Sequence, residues 1–173
     1  WDMTFEVVPA FPHSDGLYTY PDANAGGSWR TTNPRAEIAA IRTRNIACNY
    51  NLVPLCRMMR QWKSEWSVPM GGLLIDTLAY QFIENWENKK KSYLYYDFMC
   101  RDFFKFMADQ SADQTFWRAP GSSSYVYGGG FQYKAKRCYN LSLEAIQHEM
   151  ADPKREWSSK QKWREIFGTR FPS

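Results

Sequence analysis

Leu52-Val53-Pro54-Leu55-Cys56-Arg57-Met58-Met59-Arg60-Gln61-Trp62-Lys63-Ser64-Glu65-Trp66 decides the fold class. Its apolar residues at 52, 55, 56, 59, 62 and 66 fall on one face of a 3.6-residue helix. Arg57, Arg60 and Lys63 recur every three residues on the other face. Leu73 to Trp86 repeats the pattern through Leu74, Leu78, Phe82 and Trp86, so two amphipathic helices stand in succession. Working outward, Ser92 is placed to cap a fourth helix over Tyr93 to Gln110, and a fifth spans roughly 131–150. Asp152 and Pro153 are placed to cap and open a last helix that ends at Gly168. Upstream, Asn33 and Pro34 form an N-cap and first-turn pair that opens a helix to about Cys48.

Residues 1–32 read differently. Met3 to Val8 alternates polar and apolar before Val7-Val8-Pro9, the pattern of a buried strand. Leu17 to Tyr20 and Ser28 to Thr32 are further strand candidates around a turn-rich loop at 21–27. Residues 111–130 read as a loop, with Ser122-Ser123-Ser124 and Gly128-Gly129-Gly130 flanking Tyr125-Val126-Tyr127. The expected fold class is α+β, mostly α: a small β portion over 1–32 and a helical portion over 33–173.

With 173 residues, 44% hydrophobic and 17% aromatic, the chain has material for a core and is not a disordered segment. No apolar run approaches the ~20 residues of a membrane-spanning helix, so no membrane partner is expected. A net charge of +4 is compatible with a phosphate-bearing small ligand. It is too small to argue for duplex nucleic acid, which leans on several clustered phosphate contacts. Four scattered cysteines (48, 56, 100, 138) without a CxxC pair, and two histidines, give poor material for zinc or for a disulfide framework, and point to a reducing, cytoplasmic setting. The chain opens two residues before a strand pattern, from which loss of a preceding portion is expected.

Several side chains are candidates for chemistry. Glu6, a carboxylate in an apolar strand, either faces solvent or faces a site where it holds a hard divalent cation. The Arg57/Arg60/Lys63 stripe is either a solvated face or a cationic surface on which Arg60 and Lys63 neutralise a triphosphate. Gly26-Gly27 permits a turn or cradles a phosphate, and Gly128-Gly129-Gly130 reads as a connector, since no GKS or GKT follows. Nothing brings His13 and Cys48 together as a nucleophile pair.

Taken in order, four groups of segments resemble a known family. They are Phe5-Glu6-Val7-Val8-Pro9-Ala10-Phe11 with Gly16-Leu17-Tyr18-Thr19-Tyr20-Pro21-Asp22, and Gly27-Ser28-Trp29-Arg30-Thr31-Thr32-Asn33-Pro34. The third is Leu55 to Lys63 with Val68-Pro69-Met70, and the fourth Lys162-Trp163-Arg164-Glu165-Ile166-Phe167-Gly168-Thr169-Arg170-Phe171-Pro172. This order resembles the second half of bacterial CD-NTases, the cyclic-oligonucleotide synthases related to cyclic GMP-AMP synthase and oligoadenylate synthase. The resemblance implies strands from a polymerase-β-like nucleotidyltransferase core followed by an oligoadenylate-synthase-like helical bundle. It implies Mg²⁺ or Mn²⁺ as cofactor, nucleoside triphosphates as substrates, and a downstream effector that reads the cyclic product in antiphage defence. The family's third metal-binding carboxylate, usually Asp, falls on Glu6, and its phosphate-contacting Lys falls on Arg60. Tyr18, Tyr20 and Trp29 fall near the nucleotide cleft, where an aromatic face stacks on a base or packs in the core. The family's Gly-Ser turn and Asp-x-Asp pair have no counterpart here, so the chain is expected to be inactive without a separate N-terminal catalytic portion. Other readings are a synthase of linear oligonucleotides and a non-catalytic helical module binding nucleic acid or protein.

Overall fold

The computed structural model describes residues 7–23 and 26–172. The fold is α+β and mostly helical, in the order β1 (Phe11–Pro12), β2 (Tyr18–Asp22), β3 (Ser28–Thr32), α1 (Pro34–Ala47), α2 (Leu52–Glu65), α3 (Gly72–Asn85), α4 (Tyr96–Ala108), β4 (Phe116–Arg118), β5 (Tyr125–Tyr127), α5 (Gln132–Glu149) and α6 (Glu156–Phe167). No helix among the described residues is long and apolar enough to cross a membrane.

β1, β2 and β3 form an antiparallel sheet in that order, with Phe11 opposite Thr19, Tyr20 opposite Arg30 and Pro21 opposite Trp29. The turn from β1 to β2 is closed by the Leu17 N–H donating to Asp15 Oδ1 at 3.0 Å, with Gly16 at φ 85°. The first strand thus differs from the Met3 to Val8 expectation. Residues 3–6 lie outside the described residues, while Val7 and Val8 are exposed and belong to no strand. β2 also runs through Pro21 and Asp22, which turn chemistry assigned to a loop. β1 pairs only with Tyr18 and Thr19, so among the described residues β2 is an edge strand at Pro21, a position where proline is tolerated.

α1 starts where its cap demands: the Ala36 N–H donates to Asn33 Oδ1 at 3.1 Å. On α2 the expected stripe is buried through Leu52, Leu55, Cys56, Met59 and Trp62. On α3 it is Leu74, Leu78 and Phe82, with Trp86 buried just beyond the helix. Edge-on aromatic contacts knit these helices to the centre: Trp62 with Phe104 at 5.3 Å and Phe82 with Phe103 at 5.2 Å. α5 packs against both α4 and α6.

Three expectations for the helical portion shift. Tyr93–Tyr95 is a 3-10 turn, and Ser92 makes no side-chain cap, so α4 opens at Tyr96. α6 opens at Glu156 rather than Pro153, because the Arg155 N–H donates back to His148 O at 3.0 Å and holds 151–155 against the end of α5. The expected loop at 111–130 contains the β4–β5 hairpin, with Trp117 opposite Val126 and both turned into the core.

All four cysteines are buried and free. Burial raises every one of these thiols, that of Cys138 to about 12, although the Trp62 Nε1–H donates to its Sγ at 3.1 Å. None is a reactive thiolate near neutral pH.

Candidate functional site

The sheet positions the aromatic candidates. Directly opposed residues of an antiparallel pair share a face, and neighbours along a strand alternate. Tyr18 and Tyr20 therefore share one face with Arg30. Trp29 shares the opposite face with Phe11, to which its ring stands edge-on at 5.8 Å. Tyr20 and Trp29 still line one groove of about 900 Å³ along the hairpin, together with Val8, Asp22 and Arg30. Arg30 Nε meets Asp22 Oδ2 at 2.6 Å there. Tyr18 is half-buried, with the Arg35 guanidinium 5.7 Å from its ring centre. Trp29 is 65% exposed.

The cationic candidates sit on α2. Arg60 reaches across to α3, where its Nη2 donates to Asp76 Oδ2 at 2.6 Å, and its guanidinium lies over Gly72. Burial works against the Arg60 charge, but the hydrogen bond and charge of Asp76 outweigh it and hold the group above its ordinary value. A second groove of about 720 Å³ runs along this helix, lined by Arg57, Arg60, Gln61, Ser64, Glu65 and, from the far end of the chain, Arg170. Lys63, the third residue of the stripe, is half-buried and does not line it. The i, i+3 spacing of Arg57 and Arg60 carried the signal for two of these cations. Arg170 is brought in by tertiary structure alone, and nothing local in the sequence marks it.

Glu6 lies outside the described residues. Among the described residues no group of three or more His, Cys, Asp or Glu side chains could hold a metal ion. His13 bonds Thr19 Oγ1 at 2.7 Å in the exposed hairpin, and Cys48 is buried at the end of α1, so each is engaged separately. Gly26 and Gly27 take φ of 88° and 89°, a backbone that side chains strain to adopt, which accounts for glycine there through the turn alone.

Residues 1–45, the sheet and most of α1, match a family model described as the Second Messenger Oligonucleotide or Dinucleotide Synthetase domain. A "Probable cyclic nucleotide synthase" from Bacillus cereus (strain VD146) is 24% identical over 186 aligned residues, covering 100% of this chain and 53% of that protein. The chain thus spans about half the length of the curated relative it matches. The chain is thus similar to a second-messenger synthetase domain over its sheet and most of α1, and to a probable cyclic nucleotide synthase along every element that follows.

Proposed function

We propose that the full-length protein is a nucleotidyltransferase that joins nucleoside triphosphates into a cyclic di- or trinucleotide second messenger. A ribose hydroxyl attacks the α-phosphate of a triphosphate and pyrophosphate leaves. The observation that carries this reading is that the synthetase match falls on the segment bearing Tyr20, Trp29 and the groove between them. The alignment then continues through Arg60 to the C-terminal residues.

In this proposal Arg60 holds triphosphate oxygens. It replaces the family's Lys with a planar fork that suits bidentate contact, and Asp76 fixes its direction. Lys63, one turn further along α2 and outside the groove lining, adds its positive charge at longer range. One base can stack on one face of the sheet only, so Tyr18 and Tyr20 on one side and Trp29 on the other are alternatives for it. Mg²⁺ or Mn²⁺ supplies Lewis-acid activation of the attacking hydroxyl when bound. Glu6 is the residue of this chain that would hold it. Its side chain is one methylene longer than the family's Asp, which keeps the charge and alters the reach. A single carboxylate does not hold two ions against water, and no Gly-Ser followed by Asp-x-Asp occurs in these 173 residues. The further ligands are proposed to come from elsewhere, and the chain by itself to be inactive. An effector that reads the product, a role in antiphage defence and a cytoplasmic location complete the reading.

The roles are tested on the full-length protein by steady-state kinetics. Glu6→Gln is expected to abolish turnover without lowering Tm. Arg60→Ala is expected to raise KM for the triphosphate by about tenfold, the loss of one charge-assisted contact, with a smaller change in kcat. Wild-type turnover by Glu6→Gln would overturn the ligand assignment.

A further inference from the structure

The groove on α2 gathers more positive charge than the family resemblance requires. Arg57, Arg60 and Ser64 project from one face of the helix at i, i+3 and i+7. Arg170 arrives from the 3-10 turn Gly168–Arg170 that follows α6. That turn is built onto α2. Gln61 Nε2–H donates to Phe167 O at 2.9 Å, and Trp66 Nε1–H donates to Ile166 O at 3.1 Å. Gly168 takes φ 74° and ψ −167°, a backbone that glycine adopts without strain, and it packs against the Glu65 carboxylate of α2. The position of Arg170 is therefore set by the fold.

The charges in the groove do not balance. Arg60 is paired with Asp76, whereas Arg57 and Arg170 have no carboxylate or hydrogen-bond partner among the described residues. Glu65 is the one carboxylate in the lining, against three guanidinium groups. Like charges held toward one concave space raise the local potential and favour an anion. Guanidinium forks, moreover, match the oxygens of phosphoryl groups.

We infer that Arg57 and Arg170, in addition to the Arg60 of the proposed function, hold the linear polyphosphate tail of a nucleotide in this groove. The identity of the anion rests on the nucleotidyltransferase reading. The charge excess rests on geometry alone. Arg170 thereby ties the C-terminal turn to ligand binding, a coupling absent from the local sequence.

Calorimetric titration of inorganic tripolyphosphate into the full-length protein tests this. The wild type is expected to bind saturably and more weakly as salt is raised. Arg57→Ala/Arg170→Ala should weaken binding at least about tenfold, with recovery of part of it in Arg57→Lys/Arg170→Lys, which keeps charge and loses the fork. Lys105→Ala/Lys154→Ala removes the same charge elsewhere and should leave affinity within about twofold. Unchanged binding by Arg57→Ala/Arg170→Ala, or equal weakening by both alanine pairs, would overturn the inference. Matching melts of all variants keep a folding defect from imitating the result, and the single Arg170→Gln variant serves if the pair melts early. Arg60→Ala separates the two levels. Intact tripolyphosphate binding by Arg60→Ala, with loss in Arg57→Ala/Arg170→Ala, breaks the Arg60 assignment and leaves the groove standing. Loss in Arg60→Ala alone does the reverse.

Discussion

Residues 7–47 and residues 48–171 are held together by different physics. Every buried hydrophobic residue described, from Cys48 to Phe167, belongs to the second region. The sheet and α1 bury none, and Phe11, Trp29, Ile38 and Ile46 are all more than half exposed. α1 packs one partly buried side chain, Ile41, against the core and is otherwise fastened by polar contacts. Arg44 pairs with Glu84 at 2.7 Å and donates to Tyr80 Oη at 3.1 Å, Asn45 Oδ1 accepts from the Val53 N–H at 3.0 Å, and Ser122 Oγ donates to Glu37 Oε1 at 2.6 Å. Burial scales with apolar area, whereas partly exposed polar contacts contribute little each. Stability should therefore reside in the helical body, and the synthetase-like region should respond mainly to its clamps.

The largest effect follows from removing a ring in the body. Phe103 is fully buried against Phe82, and Phe103→Ala should cost about 3 to 5 kcal/mol in denaturant unfolding. Next is the joint between the regions. Gly121, at the tip of the β4–β5 hairpin, has φ 79°, and a Cβ there would stand 2.3 Å from Ala36 O on α1. Gly121→Ala should lower stability by about 1 to 3 kcal/mol and increase amide exchange in α1 before the body. Equal exchange rates in both regions would break the comparison.

A titration effect comes third. Asp97 opens α4 beside a small apolar cavity of about 190 Å³ with Met58, Cys100, Trp163 and Phe167, and its Oδ1 is buried without a hydrogen-bond partner among the described residues. Burial raises this carboxyl above its ordinary value of 3.8. A raised value means that the folded state holds the proton more tightly. The associated stability is present below 3.8 and lost as pH rises through the folded value. Asp97→Asn should accordingly gain up to about 1 kcal/mol at pH 7, with the gain fading in acid, as read from Tm against pH. The smallest effect is Ile38→Ala on α1, which should stay within about 0.5 kcal/mol of wild type.

What was legible in the sequence follows the same divide. α2 and α3 were readable because their stripes face a real core. The Asn33–Pro34 start of α1 was readable because capping is local chemistry. The β4–β5 hairpin was hidden because its outward positions are aromatic too. Phe116, Tyr125 and Tyr127 face solvent around Trp117 and Val126, which erases the polar–apolar alternation. β2 was cut short because Pro21 reads as a turn wherever its edge position is unknown. In the α2 groove, helical spacing disclosed Arg57 and Arg60. The placement of Arg170 depends on Gly168 and on contacts of Gln61 and Trp66 with α6, about a hundred residues distant along the chain.

The proposed activity, synthesis of a cyclic nucleotide by the full-length protein, has one direct test. The full-length protein, incubated with all four nucleoside triphosphates and Mg²⁺ or Mn²⁺, should release pyrophosphate and yield a phosphatase-resistant product whose mass is that of a cyclic di- or trinucleotide. Products that all keep a 5′-triphosphate end, or no pyrophosphate release with either ion, would contradict it.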